Sequence, residues 1–350
     1  MASSDDVLRM VQGEHTDAIR SIEDHALDAA GVPHREGLVD AAVREAAAGW
    51  VRAFGSASAL AVAGDALDRL LAVVREAVAA VFRGLAAAAR TAVSAVSAQA
   101  VLAGVRQTAG VVLALSGRAP NVRRLHVADD TLGAARGVLV DGLADAEQAA
   151  TAAASRRLVE GRGLAVLLAP LGRARAALTD VRAAVAGAGT RAVDAAARAV
   201  GARARADSEV WVAERDGCVR CAAYAGRVVK RGADWPGGLS WDPQQRRPHA
   251  DGIRPPAHPH CRCRPVPWRA SWAAGGETAF PAVVAREARR SIARGWSLGS
   301  ESRASRLRAA RALLAEPNPG LPASVLAVAR RAVKTGAWPK GRSVPTTEGT

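Results

Sequence analysis

Lysine, tyrosine, phenylalanine and methionine are scarce in this chain. Of its 48 basic side chains only Lys230, Lys334 and Lys340 are lysines, and the aromatic set is one Tyr, three Phe and eight Trp in 350 residues. The core must therefore be built largely from aliphatic side chains and alanine, and an apolar content of 49% is enough for a sizeable one. Long apolar runs are also missing. Residues 163–172 form a clear example, far short of the roughly 20 that cross a bilayer, so no membrane span is expected. The opening M-A-S-S-D-D is acidic where a secretory or transit signal is basic, and the chain reads as soluble and made in the cytoplasm. Neither a P-loop nor H-E-x-x-H occurs, which removes two common phosphate-binding and metalloprotease signatures.

The formal charge of +15 is unevenly placed. Residues 1–204 are net +2, residues 205–265 net +4 and residues 266–350 net +9, while seven of the eight Trp lie after residue 205. The chain accordingly reads as three regions. In 1–204, Leu67, Leu70, Leu71, Val74, Val78, Val81, Phe82 and Leu85 recur at helical spacing, with Ala filling most positions between such stripes. Breaks are expected at residues 31–33, 117–120, 161–163 and 187–189, giving about five to seven helices, with a final helix over about 191–214. The stripes serve either protein contacts or the region's own bundle. The 266–350 region is expected to hold helices over 282–294, 302–315 (capped by Ser302) and 324–333. Its Arg286, Arg289, Arg290, Arg294, Arg303, Arg306, Arg308 and Arg311 suit either a solvated face or phosphate contacts. The fold class is mainly α, with a small irregular module between two helical regions.

That module, 205–265, holds all four cysteines. Cys218 and Cys221 form C-x2-C, and after 36 residues His258, Cys261 and Cys263 form H-x2-C-x-C. Two tight clusters of soft donors are the spacing of a structural zinc site; two disulfides or four reduced thiols are the alternatives. Five donors compete for four positions. His258 with Cys263 is preferred, and Cys261 is held as the alternate. Val228 and Val229 after Gly226 can form a short hairpin within 224–231. Residues 232–257, rich in Pro and Gly, are expected to be an irregular loop anchored by Trp235 and Trp241. Acids and histidines near the cysteines that could serve catalysis are Asp207, Glu209, Glu214, Asp216, His249 and His260.

Asp216, Cys218, Cys221, Gly226, Pro255, Pro256, His258, Pro259, Cys261, Arg262 and Cys263 together resemble the signature of the Mu F-like phage minor head (head morphogenesis) proteins, strongly over about sixty residues. The resemblance implies a non-enzymatic structural protein of the virion head, made in the host bacterial cytoplasm. It implies association with the portal protein and with capsid or scaffold proteins, and action in head assembly and DNA packaging or delivery. The helical region would then make protein contacts, the zinc would be structural, and the basic tail would have packaged DNA within reach. The alternatives are a zinc-stabilised nuclease or toxin-associated protein, and a stand-alone DNA-binding zinc module.

Overall fold

A computed structural model describes residues 2–127, 130–248, 250–258, 261–272, 279–296 and 301–339, apart from the side chains of 130–136 and 138. The fold is mainly α. In chain order the helices are α1 (Ser4–Gln12), α2 (Glu14–Ala29), α3 (Val32–Phe54), α4 (Asp65–Phe82), α5 (Leu85–Ser116), α6 (Asp130–Ala153), α7 (Arg156–Val159) and α8 (Leu164–Arg203). The strands β1 (Ser208–Val212), β2 (Val228–Lys230) and β3 (Arg264–Trp268) follow, with the short helix α9 (Val219–Tyr224) between the first two. The chain then runs through α10 (Phe280–Arg294), α11 (Arg303–Leu314) and α12 (Ala323–Thr335). Two compact units result, and they cut across the regions 1–204, 205–265 and 266–350. One takes residues 22–97 and 129–188, the other residues 1–21, 98–128 and 189–350.

The first unit is all helix. The stripe read from sequence faces inward on α4, where Leu67, Leu70, Leu71, Val74, Val78, Val81 and Phe82 are all buried. They pack with Trp50 of α3 and with Leu167, Leu171 and Leu178 of α8. Leu85 belongs to the next helix, because Arg83 and Gly84 turn the chain there and Gly84 takes a positive φ of 69°. Arg35 closes two helix ends at once, donating from Nε to Val81 O (3.0 Å) and from Nη1 to Ala30 O (2.7 Å). A guanidinium so placed satisfies carbonyls that no helical N–H can reach.

The expected break at 187–189 is not there. Helix α8 continues unbroken through Gly187 and Gly189, both buried, so tertiary packing outweighs the ~1 kcal/mol that each glycine costs a helix. The breaks at 31–33, 117–120 and 161–163 do occur.

In the second unit the helix expected over 191–214 is present as far as Arg203, and the remainder gives way to β1 of a three-stranded antiparallel sheet of order β2-β1-β3. Helix α8 ends at Arg203, Arg205 takes a left-handed φ of 55°, and Ser-Glu-Val-Trp-Val then runs as β1. β-Branched and aromatic side chains favour a strand that is buried, and Val210, Trp211 and Val212 are buried. The hairpin expected within 224–231 is also revised. Tyr224 closes α9, and β2 pairs with β1 in the register Glu209↔Val229 and Val210↔Val228. β3 contains Pro265 and Pro267, which suits its place at the sheet edge.

The core of this unit joins Val7, Leu8 and Val11 of α1 to Trp211, Tyr224 and Trp235, and to Phe280, Val284 and Ile292 of α10. Trp235 anchors its loop as expected, fully buried with its ring 5.3 Å from that of Trp211. Helices α10 to α12 lie close to the expected ranges, and the Ser302 side chain accepts from Ser305 N as α11's cap. The tail is nonetheless no separate appendage, since a module with few large apolar side chains closes its core only by recruiting them.

Two buried charge networks fasten this unit. Arg254 donates from Nη2 to Glu209 of β1 (2.8 Å) and to Asp194 of α8 (3.2 Å), and both carboxylates are almost inaccessible to water. Burial drives Asp194 above the usual carboxylate range, against the opposing charge of Arg254. Asp242, fully buried, holds Arg308 of α11 in a two-point contact at 2.8 and 2.7 Å and accepts from Ser305 Oγ at 2.7 Å. Burial raises that carboxyl, but the bonds from Arg308 and Ser305 prevail and hold it below its ordinary value.

Arg254→Ala is expected to destabilise the protein by about 3–5 kcal/mol in denaturant unfolding, because it leaves the buried Glu209 without its cation and Asp194 with Arg198 alone, at 2.9 Å. Pairing it with Asp194→Asn should recover part of the loss. A second expectation concerns pH. His15 is buried beside Arg264, and burial first, then that positive charge, pushes its imidazole from 6.5 down to about 4. A histidine neutral when folded but protonated near pH 6.5 when unfolded contributes stability above pH 6.5 that is lost as pH falls toward 4. Unfolding free energies measured across that window should fall more steeply in the native chain than in His15→Gln, by roughly 2–3 kcal/mol in total.

Candidate metal centre

The C-x2-C pair sits at the start of α9. Cys218 is the helix N-cap, its sulfur accepting from Cys221 N at 3.4 Å, so one tight turn presents both sulfurs on the same side. The helix start is tied down a second time, because Glu301 Oε2 accepts from Val219 N at 2.9 Å. Nothing in the local sequence around Glu301 marks it for this part; only the folded chain brings it within reach. Just beyond the helix, Gly226 has a φ of 76°, and a Cβ there would stand 2.2 Å from Pro281 O. Only glycine fits that crossing of the chain under α10.

The second cluster arrives through the sheet. β1 and β3 pair from Ser208↔Trp268 to Val212↔Arg264, which leaves Cys263 one residue before the end of the ladder. A turn in which Cys261 N donates to His258 O (3.1 Å) folds the other two donors back, and Thr190 Oγ1 of α8 donates to Cys261 O at 2.6 Å.

Cys218 Sγ lies 3.1 Å from His258 Nε2, Cys221 Sγ lies 3.4 Å from the same nitrogen, and Cys221 Sγ lies 3.8 Å from Cys261 Sγ. Two groups of three donors, Cys218/Cys221/His258 and Cys221/Cys261/Cys263, each have all their ligand atoms within 4.8 Å. Cys221 belongs to both. A tetrahedral site with metal–sulfur bonds of about 2.3 Å and metal–nitrogen bonds of about 2.0 Å separates its ligands by roughly 3.5–3.8 Å. The 3.4 and 3.8 Å spacings fit that figure and the 3.1 Å contact of Cys218 with His258 is closer, and the cluster can hold a metal ion. All four cysteines are free thiols.

Charge is unevenly shared among the sulfurs. Hydrogen bonding from Cys221, and then from His258, brings Cys218 down to about 5, and bonds from Cys221 and Cys263 lower Cys261 strongly. Cys221, which donates toward its neighbours, is pushed well up by them and by full burial. For Cys263 a lowering contact with Cys221 is overcome by Cys261 and burial, and its thiol also rises. Four anions cannot share so small an apolar space without a cation.

The acids near the cluster have other occupations. Glu209 is held by Arg254, Asp207 lies 3.4 Å from Arg269, and Glu214 and Asp216 face Arg20 at 3.2 and 3.5 Å. Burial first, then the charge of Asp216, lifts Glu214 to about 7 despite Arg20. His249 and His260 lie outside the described residues, as does Pro259. The stretch Gly295 to Gly299 spells G-x-S-x-G, a pattern associated with a serine nucleophile after a strand. Here it follows the helix α10, and Ser297 is outside the described residues. Among the described residues no helix is long and apolar enough to cross a membrane.

No family model, curated protein or solved structure matches this chain. The functional reading therefore rests on the residues and their arrangement.

Metal analysis of the purified chain is expected to find about one divalent ion per molecule. Cys221→Ser, which removes the donor shared by both groups, should abolish it and lower the melting temperature, and chelator should lower it likewise in the native chain. Cys261→Ser and Cys263→Ser measured alongside decide which sulfur completes the site, since only the true ligand's loss should empty it. Full thermal stability after complete demetallation would remove the metal's structural role.

Proposed function

We propose that this chain is a structural, non-enzymatic minor protein of a phage or prophage head, associated with the portal, and that its Cys/His cluster holds a structural zinc. The observation that carries the reading is the cluster itself. Donors from C-x2-C and H-x2-C-x-C, the spacing that resembles the Mu F-like signature, converge in a largely buried site of sulfur and imidazole. A donor set of that kind closes a tetrahedron and leaves no position for substrate, so the ion braces the fold. The ligands in this reading are Cys218, Cys221, His258 and Cys261. The 3.8 Å separation of Cys221 and Cys261 is that of two sulfurs on one tetrahedral ion and supports Cys261, where spacing along the chain alone preferred Cys263.

The zinc-nuclease alternative is less well supported, because Asp207, Glu209, Glu214 and Asp216 each face an arginine. The basic tail also has less charge to spare than its composition suggests. Arg286, Arg289, Arg290 and Arg308 are each engaged by a carboxylate. Exposed Arg303, Arg311, Arg330, Arg331 and Lys334 remain for contact with packaged DNA. Portal, capsid or scaffold proteins are the expected partners of the helical unit, with the metal-braced module fixing the chain's path between α8 and α10.

Quantitative mass spectrometry of particles purified from the producing culture tests the reading. The chain is expected in filled heads in low copy relative to the main shell protein. Recovery from empty precursors only would make it an assembly factor, and absence from both would sink the head assignment.

A further inference from the structure

On the second unit, beside the metal module, a groove of about 550 Å³ has a floor of small apolar residues that includes Ala222, Ala225 and Ala285. Three arginines line it: Arg227, which follows Gly226, Arg246 from the irregular loop, and Arg289 from α10. All three are anchored in the same way. Arg227 Nε donates to Ala223 O (3.0 Å), Arg246 Nε to Ser240 O (2.9 Å) and Arg289 Nε to Glu316 Oε2 (3.2 Å). The bond at Nε fixes each guanidinium plane, and among the described residues the terminal Nη groups make no hydrogen bond or ion pair with the protein. Those paired N–H groups form the fork that takes a carboxylate at two points.

The groove holds three guanidiniums against one carboxylate, Glu316. Charge complementarity therefore calls for a ligand with at least two negative groups. The floor calls for aliphatic contact between them, since it is built of methyl groups and the edge of Leu239. Trp241, the aromatic of the groove, is poorly placed to stack a base. Its Nε1 is bound to Ala222 O at 3.2 Å, and the Arg289 guanidinium stands over its ring at 5.9 Å. Recognition of a single nucleic-acid strand depends on open aromatic faces.

We infer that this groove is a docking site for a short acidic peptide segment of a partner protein, gripped by Arg227, Arg246 and Arg289, with Glu316 as the resident competitor. Arg227 and Arg246 are exposed and their side chains make one hydrogen bond each, to a backbone carbonyl, so truncating them leaves the core and the cysteine cluster as they are. Glu316 occupies one arginine in the empty groove, and an incoming carboxylate takes its place.

The test is fluorescence anisotropy of a labelled octapeptide of alternating Glu and Leu pairs, titrated with the full-length, metal-loaded chain. Binding should weaken with salt, and Arg227→Ala/Arg246→Ala should weaken it about tenfold or more. Glu316→Gln should tighten it several-fold, a sign that loss of structure would not produce, and Arg303→Ala, outside the groove, should leave it unchanged. A chain that ignores the peptide, or that binds it equally well without Arg227 and Arg246, overturns the inference. So does tighter binding of a labelled oligo-dT that is lost in the same double variant, which would reassign the groove to nucleic acid. Because purified chain and synthetic ligands are used, the result is independent of whether the protein occurs in phage heads.

Discussion

The register of β1 on β3 is the constraint on which the rest of the second unit depends. Val212↔Arg264 is its last rung, and the chain leaves β1 toward Cys218 and reaches β3 from Cys263. Two donor clusters separated by 36 residues are brought together by five paired positions rather than by local turns. A slip of one residue would turn every side chain of β3 to the other face and carry Cys263 away from Cys221. The ladder thus aligns the donors, and an ion bound to them would resist any change of register.

Around that sheet the polar interior is organised by arginine. Arg254 ties α8 to β1, Arg308 ties α11 to the loop that carries Asp242, and Arg264 reaches Gln107 Oε1 of α5 at 3.0 Å. Few of these contacts are between exposed partners, so they act less as surface salt bridges than as fixed rivets whose failure strands a buried charge. The same chemistry, turned outward, makes the groove beside the module. Its arginines are held by one bond each and keep their outer hydrogens for something else.

Much was legible beforehand. The helical stripe over Leu67 to Phe82, the breaks near Gly31, Gly117 and Gly161, the Ser302 cap and the burial of Trp235 all follow from periodicity, backbone freedom and side-chain size. Other features were not. Ser208–Val212 is too short to declare itself beside a long alanine-rich helix, and a strand of five residues takes its identity from partners that lie elsewhere in the chain. Gly187 and Gly189 looked like breaks because propensity is local, whereas their burial is not.

The sequence by itself determined the mainly helical class and the donor residues of the cluster, because these depend on residue chemistry and near neighbours. Tertiary structure alone decided which donor atoms stand close together, which acids are spent on arginines and which arginines stay available. Each of those depends on distances between residues tens to hundreds of positions apart, and spacing along the chain does not encode them. The tail shows the difference plainly. Its charge is a matter of composition, but Arg308 on Asp242 and Arg289 on Glu316 turn part of that charge inward, where it holds the fold together.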